Sequence, residues 1–435
     1  MIPQSAFTIC AVVEPTHLGE LRALLARMNI LHGMADPDNS LVPFGQIHTL
    51  HFARFVIVES LTNDDILVHG EVPKPWAPML VFMGDCDGPR DVVLAELAVR
   101  AKPGLEKIFS CCQGFAGTSD TLLEWMQARN VVPAASYVNW LGRTVAQVHE
   151  ELALHRLLRQ QLVKMQQSPV SDDPAVIHRH LQTVVKEAVA NGQLTLSPIP
   201  KTPFGWRIKN LLEFILVPLV LILLAPLFLV LAPFYLFVLR RKEKADPEIL
   251  LRPDPQWAAQ LAALEDHMVT NQFSAFGDVK PGAFRRYTII AVLFLLNFAA
   301  RHLFNKGYLT RVQTIHFAHW IFLDDKRRVL FFSNYDGSHE AYMDDFINKV
   351  AWGLNLVFSN GVGYPASRWL VKGGAEYEGK FKRHLRRHQL CTDVWYKAYP
   401  DATATELARN IKIRKGLETP VFREDSEIRD WLSLI

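Results

Sequence analysis

The sequence predicts an α+β protein in which one β-α-β-β-α-β module occurs twice, with a long apolar segment inserted between the copies. Three observations carry this expectation. Three blocks of the chain match three later blocks in the same order. Each half repeats one succession of strand-like and helix-like stretches. Residues 214–239, FILVPLVLILLAPLFLVLAPFYLFVL, contain no charge.

The matches are specific. IHTLHFARFVIV (47–58) aligns with VQTIHFAHWIFL (312–323), which places His51 on His316. PMLVFMGDCDG (78–88) aligns with RRVLFFSNYDG (327–337), and GLEKIFSCCQGF (104–115) with GLNLVFSNGVGY (353–364), both at an offset of 249. The β-α-β-β-α-β order is that of the ferredoxin-like unit. Two such units are expected to form one core about a pseudo-two-fold axis, as a barrel or continuous sheet, hiding apolar sheet faces that a single copy would expose. The expected limits are repeat A over 5–163, a helical insertion over 164–265 with its membrane segment at 211–239, repeat B over 266–418 and a tail over 419–435.

Local chemistry supports each element. FTICAVVEP is β-branched and aromatic, hence a strand, and THLGELRALLARMN has helical spacing after a candidate N-cap, Thr16. HTLHFARFVIVES and PMLVFMG read as strands, and PRDVVLAELAVRA opens with a proline suited to a first helical turn. A short helix at 119–129, the strand VVPAASYVNW and a long amphipathic helix from Arg143 close the first copy. The second reads NQFSAFGDV, helix 284–304, strands 312–324 and 327–334, helices 338–351 and 378–388, strand 392–399 and helix 403–417.

The chain has 435 residues, 49% apolar and 21% charged, which excludes disorder and fits a globular protein with an apolar addition. A net charge of +3 gives no argument for nucleic acid. Five cysteines, Cys10, Cys86, Cys111, Cys112 and Cys391, lack zinc or disulfide spacing and fit a reducing compartment. The N-terminus lacks a basic n-region and a sufficient apolar run, so no signal peptide is expected.

The apolar segment from Phe214 to Leu239 exceeds the ~20 residues that span a bilayer as a helix. Copies sharing one core must lie on one side of the membrane. Pro218, Pro226 and Pro233 favour breaks, so the expectation is a re-entrant hairpin turning at Pro226, with a single kinked span as the alternative. Basic residues at both ends (Arg207 and Lys209; Arg240, Arg241, Lys242 and Lys244) place both repeats on the cytoplasmic face. Helix 284–304 is too apolar for an ordinary surface helix. It is expected in the core or along the membrane beside the anchor.

Candidate chemistry centres on histidines and acids. His51 and His316 occupy equivalent strand positions. By alternation, His316 shares a face with Ala318 and Trp320, and His319 the opposite face with Phe317. Convergence of His51 and His316 at the axis offers a ligand, metal or acid–base site, with satisfied core histidines as the plain alternative. FFSNYDGSHEAYMDD (331–345) reads first as a strand-to-helix corner, because Asp-Gly is turn chemistry and Ser338 a helix cap. Asp336 and His339 are the catalytic candidates within it, and Asp87 is their counterpart in the first copy. His384 and His388, on KFKRHLRRHQ, read as a solvated or lipid-facing basic surface.

Gly84-Asp85-Cys86-Asp87-Gly88 resembles the G-x-x-D-G motif of dye-decolourising peroxidases, which pair two ferredoxin-like units in one chain. The resemblance implies haem, with Asp87 as distal acid and His316 or His339 as iron ligand. The chain also resembles bacterial membrane-associated proteins carrying SNYDGS-x-E-x-Y-x-x-DFI, a likeness that implies no chemistry. The first functional expectation is a membrane-anchored protein binding a lipid or other apolar ligand at the bilayer surface. The alternatives are a haem-dependent peroxidase-like oxidoreductase and a structural or scaffolding membrane protein.

Overall fold

The computed structural model describes residues 1–31, 33–116, 122–167, 172–419 and 424–435. The first half holds strands β1 (Gln4–Val12), β2 (Asn29–Leu31), β3 (Met34–Ala35), β4 (Leu50–Val58), β5 (Met79–Asp87) and β6 (Ala135–Val138). Its helices are α1 (Leu18–Ala26), α2 (Asn63–Val68), α3 (Arg90–Arg100), α4 (Lys102–Phe109), α5 (Leu122–Ala128) and α6 (Val145–Gln167). Residues 119–121 of the expected helix 119–129 lie outside the described residues. The middle is helical: α7 (Pro174–Ala190), α8 (Phe204–Ala245) and α9 (Pro255–Ala262). The second half holds β7 (Thr270–Asp278), α10 (Ala283–His302), β8 (Ile315–Leu323), β9 (Arg328–Asp336) and α11 (His339–Phe358). It continues through β10 (Ser367–Arg368), β11 (Lys372–Gly373), α12 (Glu378–His388), β12 (Val394–Lys397), α13 (Ala404–Glu418) and α14 (Asp425–Leu432).

The class is α+β, with two separate larger sheets ordered β1-β5-β4-β12-β3-β2 and β6-β8-β9-β7. All neighbours in them pair antiparallel except β12 with β3. The closing strand of each half sits in the other half's sheet. β12 adds to β4 with Trp395 opposite Arg54, and β6 adds to β8 with Ser136 opposite His319. The sheets meet face to face through Val56, Val81 and Met83 on one side and Ile321, Leu330 and Phe332 on the other. Helices α3 and α4 cover the outer face of the first sheet, and α10 and α11 that of the second.

Charge is buried in that interface. The Arg54 guanidinium donates to the carbonyls of Phe273 (3.0 Å) and Ser333 (3.1 Å), to Ser274 Oγ (3.1 Å) and to Asn334 Oδ1. It also lies 4.7 Å over the Trp395 ring. Asn334 Nδ2 then donates to Asp85 Oδ2 at 3.3 Å, and His319 Nε2 bonds Asp85 Oδ1 at 2.6 Å. Burial lowers the Arg54 pKa to about 9, against the opposing pull of Asp85.

The expected hairpin at Pro226 does not form. Helix α8 runs unbroken through 42 residues with Pro218, Pro226 and Pro233 inside it, roughly 63 Å at helical rise. A proline removes one N–H and does not by itself reverse a chain. Residues 211–245 contain no glycine, asparagine, aspartate or serine to take the positive φ of a tight reversal. The premise behind the hairpin also falls, because one continuous helix meets the body at both ends of its apolar stretch. At one end Arg301 pairs with Glu213 at 2.8 Å and Phe214 meets His302. At the other, Tyr235 bonds Thr288 and stacks on Phe284. Helix α8 therefore lies antiparallel beside α10. Helix α10 is half in the core: Ile289, Val292 and Leu293 are buried, while Tyr287, Phe294 and Leu295 are exposed. Thr16 does not cap α1, which follows a short 3-10 turn over Pro15–His17.

Replacing Arg54 by Ala removes the guanidinium donors of the Phe273 and Ser333 carbonyls and the cation nearest Asp85, which keeps its bonds to Asn334 and His319. Chemical denaturation is expected to show a loss of roughly 3–5 kcal/mol, well beyond that of an exposed Arg→Ala control such as Arg179→Ala.

Candidate functional site

His51 and His316 each occupy a bulge, where β4 shifts register between Leu50 and Phe52 and β8 between Ile315 and Phe317. The extra residue overturns the alternation expected for His316. Its ring turns away from Ala318 and Trp320, which face the helices, into the inter-sheet aromatic cluster beside Phe52 and Tyr399. There His51 packs on Phe317 and His316 on Phe52, each with ring centroids 5.4 Å apart, and Phe52 meets Phe317 at 5.6 Å. The phenylalanines fill the space in which two imidazoles would share a metal.

Each histidine instead holds the Asp-Gly corner of its own sheet. His51 Nε2 meets Asp87 Oδ1 at 3.0 Å, and Asp87 Oδ2 accepts from the Val145 amide at the start of α6 (2.9 Å). His316 Nε2 meets Asp336 Oδ1 at 2.7 Å, and Asp336 Oδ2 accepts from the Ala404 amide at the start of α13 (2.7 Å). Thr270 Oγ1 also donates to Asp336. Gly88 (φ 74°) and Gly337 (φ 86°) take the left-handed conformation that turns each strand. Both acids thus serve as helix-start anions, the structural reading of FFSNYDGSHEAYMDD, and Ser338 caps α11 by accepting from Ala341 N.

His51 Nδ1 meets the Tyr399 hydroxyl at 2.9 Å. Burial, with the carboxylates of Asp87, Asp85 and Asp336 around it, holds the Tyr399 phenol well above its usual pKa, so it stays a donor. His339 opens α11, buried, its ring against Phe273 and its amide donating to Asp266 Oδ1 at 2.7 Å. Burial lowers its pKa, keeping it neutral. These residues do not fit haem: His316 Nε2 is committed to Asp336 and Asp87 has both oxygens occupied. Neither borders the apolar cavity or the cleft described below. His319 bonds Ser136 and Asp85. His384 and His388 are not a solvated face, because His388 is buried and the two rings lie 4.1 Å apart, tilted by 40°, beside Gly363.

One opening suited to a ligand is apolar. Between α10, α11 and the β8–β9 sheet lies a cavity of about 310 Å³. Val292, Ala318, Trp320, Phe331, Phe346 and Leu354 form its walls, and the exposed side chains of Leu295 and Trp352 stand at its edge. Its hydroxyls are spent internally, Tyr342 on Ser333 and Thr310 on the Leu309 carbonyl. Such a wall selects by shape and apolarity. Leu295 belongs to α10, the helix beside α8, so the cavity reaches the exposed apolar surface of α10. None of the most apolar 18-residue window of α8 is buried, and α8 and α10 are the two helices among the described residues long and apolar enough to cross a membrane.

The C-terminal foot of α8 is fastened by charge. Glu243 accepts from the amides of Trp369 (3.0 Å) and Leu370 (2.9 Å). Asp246 binds Lys280 at 2.8 Å and Arg285 at 2.6 Å. Burial alone would raise the Asp246 carboxyl, yet neighbouring His69, Lys280 and Arg285 bring it down to about 2.

Arg54, Asp85, Asn334 and Tyr399 escaped the sequence reading as a network. The signal was present, since Arg54 matches His319 and Asp85 matches Asn334 in the aligned blocks, polar residues inside apolar strands. Asp87→Ala and Asp336→Ala are each expected to cost roughly 2–3 kcal/mol by chemical denaturation. The purified wild-type protein is expected to show no Soret absorption. No family model, curated protein or solved structure matches the chain.

Proposed function

We propose that this chain is a membrane-attached protein, built by duplication of a ferredoxin-like module, that takes up a lipid acyl chain or similar apolar molecule from the bilayer surface. The observation that carries this reading is the apolar cavity under α10, at whose edge stands the exposed side chain of Leu295 on α10, the helix beside α8. A wall built almost wholly of carbon favours a hydrocarbon over a polar metabolite, with the buried, unpaired indole N–H of Trp320 as a donor for one polar end. Four strands of the first sheet, β1-β5-β4-β12, follow the order β7-β9-β8-β6 of the second, and both sheets carry equivalent bulges, His–Asp pairs and Asp-Gly corners, which supports the duplication.

The membrane attachment is interfacial. Contacts at both ends of the apolar stretch keep α8 along the body, so its outward face meets lipid while the sheets stay on one side. The exposed side chains of Ile222, Leu223, Leu229 and Val230, with their neighbours, would otherwise form a patch larger than water tolerates on a soluble monomer. The basic ends of α8 favour the cytoplasmic face.

Two experiments test this reading. Gly353 lines the cavity, and a Cβ there meets nothing within 4 Å. Gly353→Phe fills the space and removes a helix glycine, so it is expected to keep the fold while weakening binding of a fluorescent fatty acid about tenfold or more. Unchanged affinity would rule the cavity out. In vesicle flotation the wild type is expected to rise with phosphatidylcholine–phosphatidylglycerol liposomes. Leu223→Arg with Leu229→Arg, both exposed, is expected to remain at the bottom.

A further inference from the structure

A second cleft, of about 280 Å³, opens beside β1, β6 and α10 at the N-terminal foot of α8, where Trp206 contributes to its wall. Ser136, His319 and Asp85 all line it. Ser136 Oγ stands 3.0 Å from His319 Nδ1, and His319 Nε2 stands 2.6 Å from Asp85 Oδ1. An ionised Asp85 can only accept, so the imidazole proton belongs on Nε2 and Nδ1 is left to accept from the serine hydroxyl. His319 and Asp85 are each about 2% exposed, whereas Ser136 is partly open to the cleft.

The other half of the molecule provides an internal control. Arg54 stands where His319 stands, Asn334 where Asp85 stands, and the cross-strand partner of Arg54 is Trp395 rather than serine. Trp395 covers that position, 4.7 Å from the guanidinium, and is itself buried. A polar chain needed only to join the sheets is sealed there. At Ser136 the equivalent position has a small hydroxyl and a cavity in front of it.

We propose that Ser136, His319 and Asp85 form a nucleophile, base and positioning anion that hydrolyse carboxylic esters entering this cleft. Ser136 Oγ attacks the ester carbonyl carbon while its proton passes to His319 Nδ1. The bond from that carbon to the leaving alkoxy oxygen breaks, and the oxygen takes the proton from Nδ1, releasing the alcohol and leaving an acyl-serine. Water then attacks the acyl carbon, gives its proton to Nδ1, and the acid departs as Ser136 recovers the proton. Asp85 holds the ring tautomer and stabilises the imidazolium. Arg90, whose bond to the Ala6 carbonyl is a long one (3.4 Å), lines the same cleft and has donors for the oxyanion. The two imidazole nitrogens carry the reverse assignment from the common triad, which the roles permit. The ester class rests on geometry alone. A bilayer source for the acyl chain rests on the membrane reading above.

The test uses the full chain in detergent micelles with a small fluorophosphonate and p-nitrophenyl butyrate. The wild type is expected to be labelled on the peptide containing Ser136 and to cleave the ester. Ser136→Ala, a change of one oxygen at a partly open site, is expected to lose labelling and roughly a thousandfold or more of turnover, with an unchanged thermal midpoint. An unlabelled wild type, or a Ser136→Ala variant labelled equally, overturns the relay. Neither assay needs a bilayer, so a failed flotation and a failed relay are separate results. Turnover of p-nitrophenyl butyrate without hydrolysis of phosphatidylcholine in vesicles overturns the bilayer source and leaves the soluble ester.

Discussion

Two sheets pressed together around a guanidinium set the terms for everything else in this molecule. Arg54 is fully buried, and a cation in such a place is tolerable only if every N–H finds an acceptor and a countercharge lies near. The acceptors come from β7 and β9 of the opposite sheet, and the countercharge from Asp85, relayed by Asn334. These partners meet only in one register: β5 must present Asp85 to β9 at Asn334, and β4 must present Arg54 to the same point. A slip by one residue would turn each side chain to the helix-covered face. The buried charge therefore specifies the sheet-to-sheet alignment, where apolar residues alone would tolerate several.

The exchange of closing strands builds on that alignment. β12 crosses into the first sheet and β6 into the second, so neither half holds a complete four-stranded layer without the other. Each crossing strand leads into a helix whose first amide is held by an Asp-Gly corner, Val145 by Asp87 and Ala404 by Asp336. Those helices, α6 and α13, pack with α7 and α14 through Leu154, Leu181, Ile413 and Trp431. The histidines that looked most like ligands hold these corners in place. A bulge turns each one inward, the aspartate fixes it, and a phenylalanine from the other sheet closes the space.

Local pattern was enough for the α+β class, the long strands and the strand-to-helix corners, because turn glycines, caps and apolar spacing are written in neighbouring letters, whereas short elements such as β2, β3, α2 and α4 were not read. The bulges were not legible. Alternation assumes two residues per pleat, and the one extra residue at His316 reverses the prediction for that side chain without altering the letters around it. Strand exchange was equally hidden, since VVPAASYVNW would make the same strand in either sheet. The reading of α8 failed for another reason. Proline penalties describe short helices in water, whereas an uninterrupted run of leucine, valine and phenylalanine gives the chain no better conformation than to continue.

The lie of α8 decides what its apolar surface does. Were the helix to leave the body and cross a bilayer end-on, only one foot would touch protein. Both feet do, through Glu213–Arg301 at one end and the Glu243 and Asp246 contacts at the other. The intervening residues face outward unpaired with protein, and at ~25 cal/mol per Å² their exposure to water would oppose docking along α10. A lipid face removes that cost for α8 and for Phe294 and Leu295 of α10 together. In the proposed membrane-attached arrangement the edge of the apolar cavity would lie beside hydrocarbon, and an acyl chain would enter without passing through water. At the other foot the Arg301 guanidinium lies 5.5 Å over the Trp206 ring. The polar cleft containing Ser136 opens at that same foot, so the apolar cavity and the polar cleft share α10.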